Sequence, residues 1–186
     1  MQQTREYDTL FLDRDGVINV RLVDDYVKTW SEFSFEQDVK QAMQIFAKKF
    51  KTIVVVSNQQ GVGKGLMSQQ ALDEIHGKMK QEVQNAGGRI DGIYTCTALK
   101  NAHCFARKPQ VGMALRARKE FNSIRFKDSV MVGDAATDMH FGKRLGMQTI
   151  FLSESISQAR KYYKWIDKRF LSLIEYAKYL ENEDKK

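Results

Sequence analysis

Two periodicities alternate along the 186 residues of this chain. Strands are read at 9–12, 52–56, 90–96, 129–132 and 148–152, the apolar run 9–12 and the β-branched run 52–56 having the composition of buried strands. Between them, apolar positions recur every three or four residues. Val39, Met43 and Phe46 mark a helix over 37–49, and Ser68 is placed to cap a long helix running to about 86. Two more helices are predicted over 111–121 and 138–145, the second closed by Gly146. Residues 20–34, with Tyr26, Trp30 and Phe33, read as a loop or short hairpin. The C-terminal tail is predicted helical within 157–182, most clearly over 170–180. Strands alternating with helices predict an α/β fold. It is a Rossmann-like, doubly wound parallel sheet of about five strands with helices on both faces, in a single domain over 1–186.

Three of these strands stop at polar residues. The first ends at Asp13-Arg14-Asp15-Gly16, the second at Ser57-Asn58-Gln59-Gln60-Gly61, and the fourth at Gly133-Asp134 with Asp138 shortly after. In an open α/β sheet the carboxyl ends of the strands border the ligand crevice. Two carboxylates there are poorly placed for folding but well placed to hold a cation or attack an electrophile. A solvated Asp-Gly turn and the start of a calcium loop compete as readings. The second fails because Val17 stands where a third oxygen ligand belongs. Gly61-Val62-Gly63-Lys64-Gly65 resembles the end of a nucleotide-binding P-loop, but Asn58 and Gly65 break that pattern.

Composition narrows the classes further. The chain is 42% hydrophobic, ample for one core, and its longest aliphatic run is too short to cross a bilayer. With no apolar leader, a cytoplasmic and monomeric protein with no membrane contact is expected. The formal charge of +7 is concentrated in residues 100–127, which hold eight Lys/Arg against Glu120. Such a segment suits an anionic partner, although a solvated helix face accounts for most of it. A basic nucleic-acid-binding module is the non-enzymatic alternative. Cys96 and Cys104 are the only cysteines, so no disulfide framework is implied.

The ordered set Asp13-Arg14-Asp15-Gly16-Val17, Ser57 after an apolar strand, Arg107-Lys108-Pro109, and Gly133-Asp134 with Asp138 resembles the haloacid dehalogenase superfamily of phosphohydrolases. Within it, residues 9–152 are similar to the D-glycero-D-manno-heptose 1,7-bisphosphate phosphatases. Histidinol-phosphate phosphatases and polynucleotide 3′-phosphatases are close relatives and remain as alternatives. The resemblance implies a fold without a large cap domain, and no insertion here is long enough for one. It implies a Mg²⁺-dependent phosphatase that acts on a small phosphorylated metabolite, a sugar bisphosphate first, through an aspartyl-phosphate.

By the same resemblance Asp13 is the nucleophile and Asp15 the general acid and base. The Asp13 carboxylate, the Asp15 backbone carbonyl and Asp134 are the expected Mg²⁺ ligands, with Asp138 in support. Ser57 and Lys108 are expected to hold the phosphoryl group, and Asn58 and Arg107 the rest of the substrate. Pro109 predicts an extended backbone at Lys108, so that Arg107 and Lys108 point to different sides. Two departures from the family pattern stand out. A structural zinc carried by many members needs four ligands; Cys96 and Cys104 fill two places, but Ala98 and Ala106 fill the others, so zinc is not expected even with His103 nearby. Ala135 stands where the family places a lysine.

Overall fold

The apolar runs pair side by side into one parallel sheet. The computed structural model describes residues 7–183. Its strands are β1 (Tyr7–Leu12), β2 (Phe50–Asn58), β3 (Gly92–Cys96), β4 (Val130–Gly133), β5 (Gln148–Leu152) and β6 (Lys168–Phe170). They run in the order β3-β2-β1-β4-β5-β6. The helices are α1 (Val39–Lys49), α2 (Gln60–Gly63), α3 (Gln69–Asn85), α4 (Gly112–Glu120), α5 (Ala136–Arg144), α6 (Ile156–Lys161) and α7 (Leu173–Glu183). Ser68 caps α3 as expected, its Oγ accepting from the Ala71 N–H at 3.0 Å.

Alternation along each strand sends neighbouring side chains to opposite faces. Leu10, Leu12, Ile53, Val55, Val130 and Val132 pack in a core with residues of α1, α3 and α7. Phe11, Val54, Val56 and Met131 pack on the other face with residues of α4 and α5. Both faces are therefore covered, which explains why these strands are uninterrupted apolar runs.

β1 is the switch point of the sheet. Leu12 is in register with Val55 of β2 on one side and with Val132 of β4 on the other. Chain order reverses across β1, so the connections diverge there and leave a crevice at its carboxyl end. The residues following β1, β2 and β4 all reach this edge.

Three expectations are corrected. The sheet has six strands rather than about five. The predicted tail helix over 157–182 is broken into α6, a 3₁₀ turn at Tyr163–Trp165, β6 and α7. β6 was hidden because Lys168-Arg169-Phe170 is a short, charged edge strand with no apolar run. Finally, Arg107-Lys108-Pro109 is not extended: the Gln110 N–H donates to the Arg107 carbonyl at 2.8 Å, closing a turn around a cis Lys108–Pro109 bond.

Candidate active site

The carboxyl end of β1 delivers Asp13 into a buried group of charges. Its backbone N–H continues the ladder to the Val132 carbonyl at 3.0 Å, fixing it beside the end of β4. Asp13 Oδ1 accepts from the Arg14 N–H at 2.7 Å and pairs with Lys108 Nζ at 2.8 Å. The same ammonium pairs with Asp138 Oδ1 at 2.6 Å and donates to the Val56 carbonyl at 2.7 Å. Lys108 is buried, and burial alone would lower its pKa. The Asp13 and Asp138 charges outweigh that and raise it, so it stays an ammonium. Asp138 sits in the first turn of α5, where its Oδ2 accepts from the Ala135 N–H at 3.1 Å.

Asp13, Asp134 and Asp138 bring one oxygen each within 4.8 Å of one another. Burial, then repulsion from Asp13, pushes Asp134 up to about 8 and Asp138 up to about 6. Arg21 pairs with Asp134 at 2.7 Å and pulls the other way, but burial and Asp13 prevail. The carboxylates thus outnumber the cations beside them. An all-oxygen set with surplus negative charge fits a hard divalent cation such as Mg²⁺. Two glycines permit this crowding. Gly16 has φ +83°, and a Cβ there would lie 2.1 Å from Asp134 Oδ2. A Cβ on Gly133 would lie 2.2 Å from the Asp138 Cβ.

Asp15 is held by partners that sequence reasoning missed. Its Oδ1 accepts from Arg14 Nη2 at 2.7 Å and Asn19 Nδ2 at 3.0 Å, and its Oδ2 from Gln59 Nε2 at 2.7 Å. Burial raises the Asp15 pKa, but the Arg14 charge and these hydrogen bonds outweigh it, and the net shift is downward. Arg14 is itself 1% exposed and also donates Nη1 to His76 Nε2 at 3.2 Å. Arginine has no acceptor, so this ring nitrogen accepts. Burial first, then the Arg14 charge, lowers His76 to about 4 and keeps the ring neutral. Nothing local in the sequence links residue 76 to residue 14. The link exists because α3 packs over the end of β1.

Ser57, the last fully buried residue of β2, accepts from Gln59 Nε2 at 2.8 Å. Asn58 clamps the backbone of Lys108, accepting from its N–H at 3.0 Å and donating to its carbonyl at 3.2 Å. Arg107 is tied through Nη1 to the Ala98 carbonyl at 3.2 Å. Despite the turn, Lys108 points inward and Arg107 stays partly exposed. A pocket of about 410 Å³ is lined by Asp13, Asp15, Arg21, Ser57, Arg107 and Lys108, among others. Asn58, Lys64, Ala135 and Thr137 complete parts of its wall. The structure therefore brings together every site residue read from the sequence, with Arg14, Asn19, Arg21, Gln59 and His76 added.

The rest of the basic segment lies elsewhere. Arg116, Arg118 and Lys119 are exposed on α4, with Arg118 over the Phe126 ring at 4.9 Å, and Arg125 pairs with Asp128 at 3.0 Å. Cys96 and Cys104 share a hydrogen bond; burial raises the Cys96 thiol, whereas the Ala106 N–H lowers the Cys104 thiol. Among the described residues, the group of three or more potential metal-binding side chains is Asp13, Asp134 and Asp138, so His103 does not join the cysteines in one. No described helix is long and apolar enough to cross a membrane.

Comparison with known proteins agrees with this geometry. Residues 8–180 match the family described as polynucleotide kinase 3 phosphatase. A D-glycero-alpha-D-manno-heptose-1,7-bisphosphate 7-phosphatase of Mycobacterium bovis is 38% identical over 130 residues, covering 70% of this chain and 68% of that protein. A D-glycero-beta-D-manno-heptose-1,7-bisphosphate 7-phosphatase of Vibrio cholerae is 35% identical over 150 residues, covering 77% and 79%. Among solved structures, the D,D-heptose 1,7-bisphosphate phosphatase of B. bronchiseptica, complexed with magnesium and phosphate, superposes with a TM-score of 0.82 at 26% identity. That alignment covers 95% of this chain and 99% of that one.

Proposed function

The chain belongs to the polynucleotide kinase 3 phosphatase family and is a phosphoric monoester hydrolase homologous to the heptose-1,7-bisphosphate 7-phosphatases; from that membership we propose that it removes one phosphate from a sugar bisphosphate, D-glycero-D-manno-heptose 1,7-bisphosphate first. The observation that carries the reading is the Lys108 ammonium locked between Asp13 and Asp138 at 2.8 and 2.6 Å, at the head of the pocket. Lysine there neutralises incoming phosphoryl oxygens while holding the carboxylate that attacks the phosphorus.

Each residue then has a distinct task. Both contacts to Asp13 fall on Oδ1, which leaves Oδ2 to attack phosphorus and form the aspartyl-phosphate. Asp15 exchanges a proton with the leaving oxygen and then with the hydrolytic water. Its lowered pKa suits the second task directly. A phosphate dianion entering the pocket adds negative charge and moves Asp15 upward, toward the first. Ser57 and Lys108 cradle phosphoryl oxygens, Asn58 keeps Lys108 in place, and Arg107 at the mouth reaches the second phosphate. Mg²⁺ would be held by Asp13, Asp134 and the Asp15 carbonyl, and when bound it supplies charge neutralisation to the transferring group.

The test is hydrolysis of both heptose 1,7-bisphosphate anomers beside histidinol phosphate, a 3′-phosphorylated oligonucleotide and p-nitrophenyl phosphate. The heptose bisphosphates should give the highest kcat/KM, turnover should stop with a chelator, and Mg²⁺ should restore it. Preference for the oligonucleotide, or chelator-resistant turnover, would overturn the reading.

A further inference from the structure

Arg21 is anchored at its root and loose at its tip. Asn19 bridges to both Asp15 and Phe35, and the Val20 N–H donates to the Ser34 carbonyl at 2.8 Å, so the backbone beside Arg21 is fixed. Its side chain is 47% exposed. Nη2 donates to the Asp15 carbonyl at 2.9 Å and to Asp134 Oδ1 at 2.7 Å. Asp15 O and Asp134 are the groups assigned above to Mg²⁺. A hard cation needs those lone pairs itself and repels a guanidinium held beside them. The released side chain would still face the pocket, which it lines together with Lys64 and Arg107. On that wall Ala135 and Thr137 offer no charge.

We propose that Arg21 is an exchangeable donor, occupying Asp134 and the Asp15 carbonyl until a divalent cation takes these oxygens and then binding the second anionic group of the substrate. The inference rests on the phosphatase reading above. It makes the binding of metal and substrate mutually supportive, because the cation frees the arginine that the substrate uses. The competing partners for a freed guanidinium are Asp24 and Asp25 on the pocket rim, and Asp25 is already paired with Lys28 at 2.6 Å.

The experiment compares the full chain with Arg21→Ala and Arg21→Lys by two readouts. One is Mn²⁺ titration without substrate, and the other is KM for heptose bisphosphate against p-nitrophenyl phosphate. Arg21→Ala should bind Mn²⁺ about two- to fivefold more tightly, the scale of an exposed ion pair. Its KM for the bisphosphate should rise roughly tenfold or more, the scale of a charged hydrogen bond, with KM for the aryl phosphate almost unmoved. Arg21→Lys keeps the charge without the planar fork, so it should return Mn²⁺ affinity toward wild type and recover part of the KM. Unchanged or weaker Mn²⁺ binding by Arg21→Ala overturns the proposal and leaves the phosphatase reading standing. Tighter Mn²⁺ binding with an unmoved bisphosphate KM overturns the hand-over, since the freed side chain then goes elsewhere. Mn²⁺ bound by neither protein removes both the metal site and the inference.

Discussion

Replacing Asp134 by asparagine separates what this carboxylate costs the fold from what it contributes to the reaction. Without metal, burial and the Asp13 charge push Asp134 up to about 8, from 3.8 in an ordinary setting. At about 1.4 kcal/mol per pH unit, that displacement sets a ceiling of about 6 kcal/mol on the cost of ionising it in the fold. Repulsion shared with Asp13 and Asp138, and loss of the exposed Arg21 pair, worth at most about 1 kcal/mol, reduce the gain from Asn to about 2 kcal/mol. For a chain of this size that is roughly 4–8 °C in Tm. In chelator, Asp134→Asn should therefore melt above wild type. Wild-type stability in chelator should also fall as pH rises from 6.5 to 8. Over that interval the folded state retains the Asp134 proton that the unfolded chain has released. The neutral His76, lowered to about 4, acts in the opposite sense around and below 6.5 and fades above it, so Asp134 dominates toward pH 8. With saturating Mg²⁺ the order should reverse. Wild type should gain about 2.7 kcal/mol at a hundred times Kd, while the variant gains little and loses about 10²–10³-fold in kcat/KM. Calorimetry in chelator and in Mg²⁺, with a turnover assay, measures all of this. A variant that melts below wild type in chelator, or that keeps the Mg²⁺ stabilisation, would refute the charge-surplus argument.

Asp13→Asn should abolish both turnover and the covalent phosphate, whereas Asp15→Asn should slow turnover about 10²–10⁴-fold; rapid quench and mass spectrometry of the phosphorylated residue check this, and phosphate found elsewhere than Asp13 would contradict it. Arg107→Ala should raise KM for the bisphosphate far more than for p-nitrophenyl phosphate, while Lys108→Ala should damage both; equal losses after Arg107→Ala would tie that residue to the reacting phosphate instead. Gly16→Ala should cost roughly 1–3 kcal/mol and weaken Mg²⁺ binding, because the new methyl combines a left-handed backbone with a clash against Asp134; denaturant melts and metal titration read the two effects. Purified protein should carry well under one zinc per chain, since Ala98 and Ala106 leave the cysteines two ligands short; elemental analysis finding a stoichiometric, tightly held zinc would point back to Cys96, His103 and Cys104.

Much of this was legible in the sequence because strand chemistry is local. An apolar run that stops at Asp13 or Asp134 declares both a buried strand and a polar end, whatever lies next to it. Helix periodicity and the Ser68 cap are local in the same sense, and the ordered acids, serine and lysine resemble those of a phosphohydrolase family, a resemblance that implies phosphoryl transfer. The three residues of β6, two of them charged, carried no such signal. That strand exists because Ile150–Leu152 of β5 offered it a ladder. Which strands end side by side depends on sheet order, and only the reversal across β1 brought Asp13, Ser57 and Asp134 to one crevice. The partners that tune the site are further still from local control: His76 meets Arg14 across 62 residues and Arg21 meets Asp134 across 113. Sequence alone determined which groups stand at the strand ends, acids able to hold a cation or attack an electrophile, since residue type and order are local. Their resemblance to a known family implied the rest. Tertiary structure decided which charges touch, and therefore which carboxylate is crowded and which cation can exchange, because those contacts arise only when packing brings separate segments together.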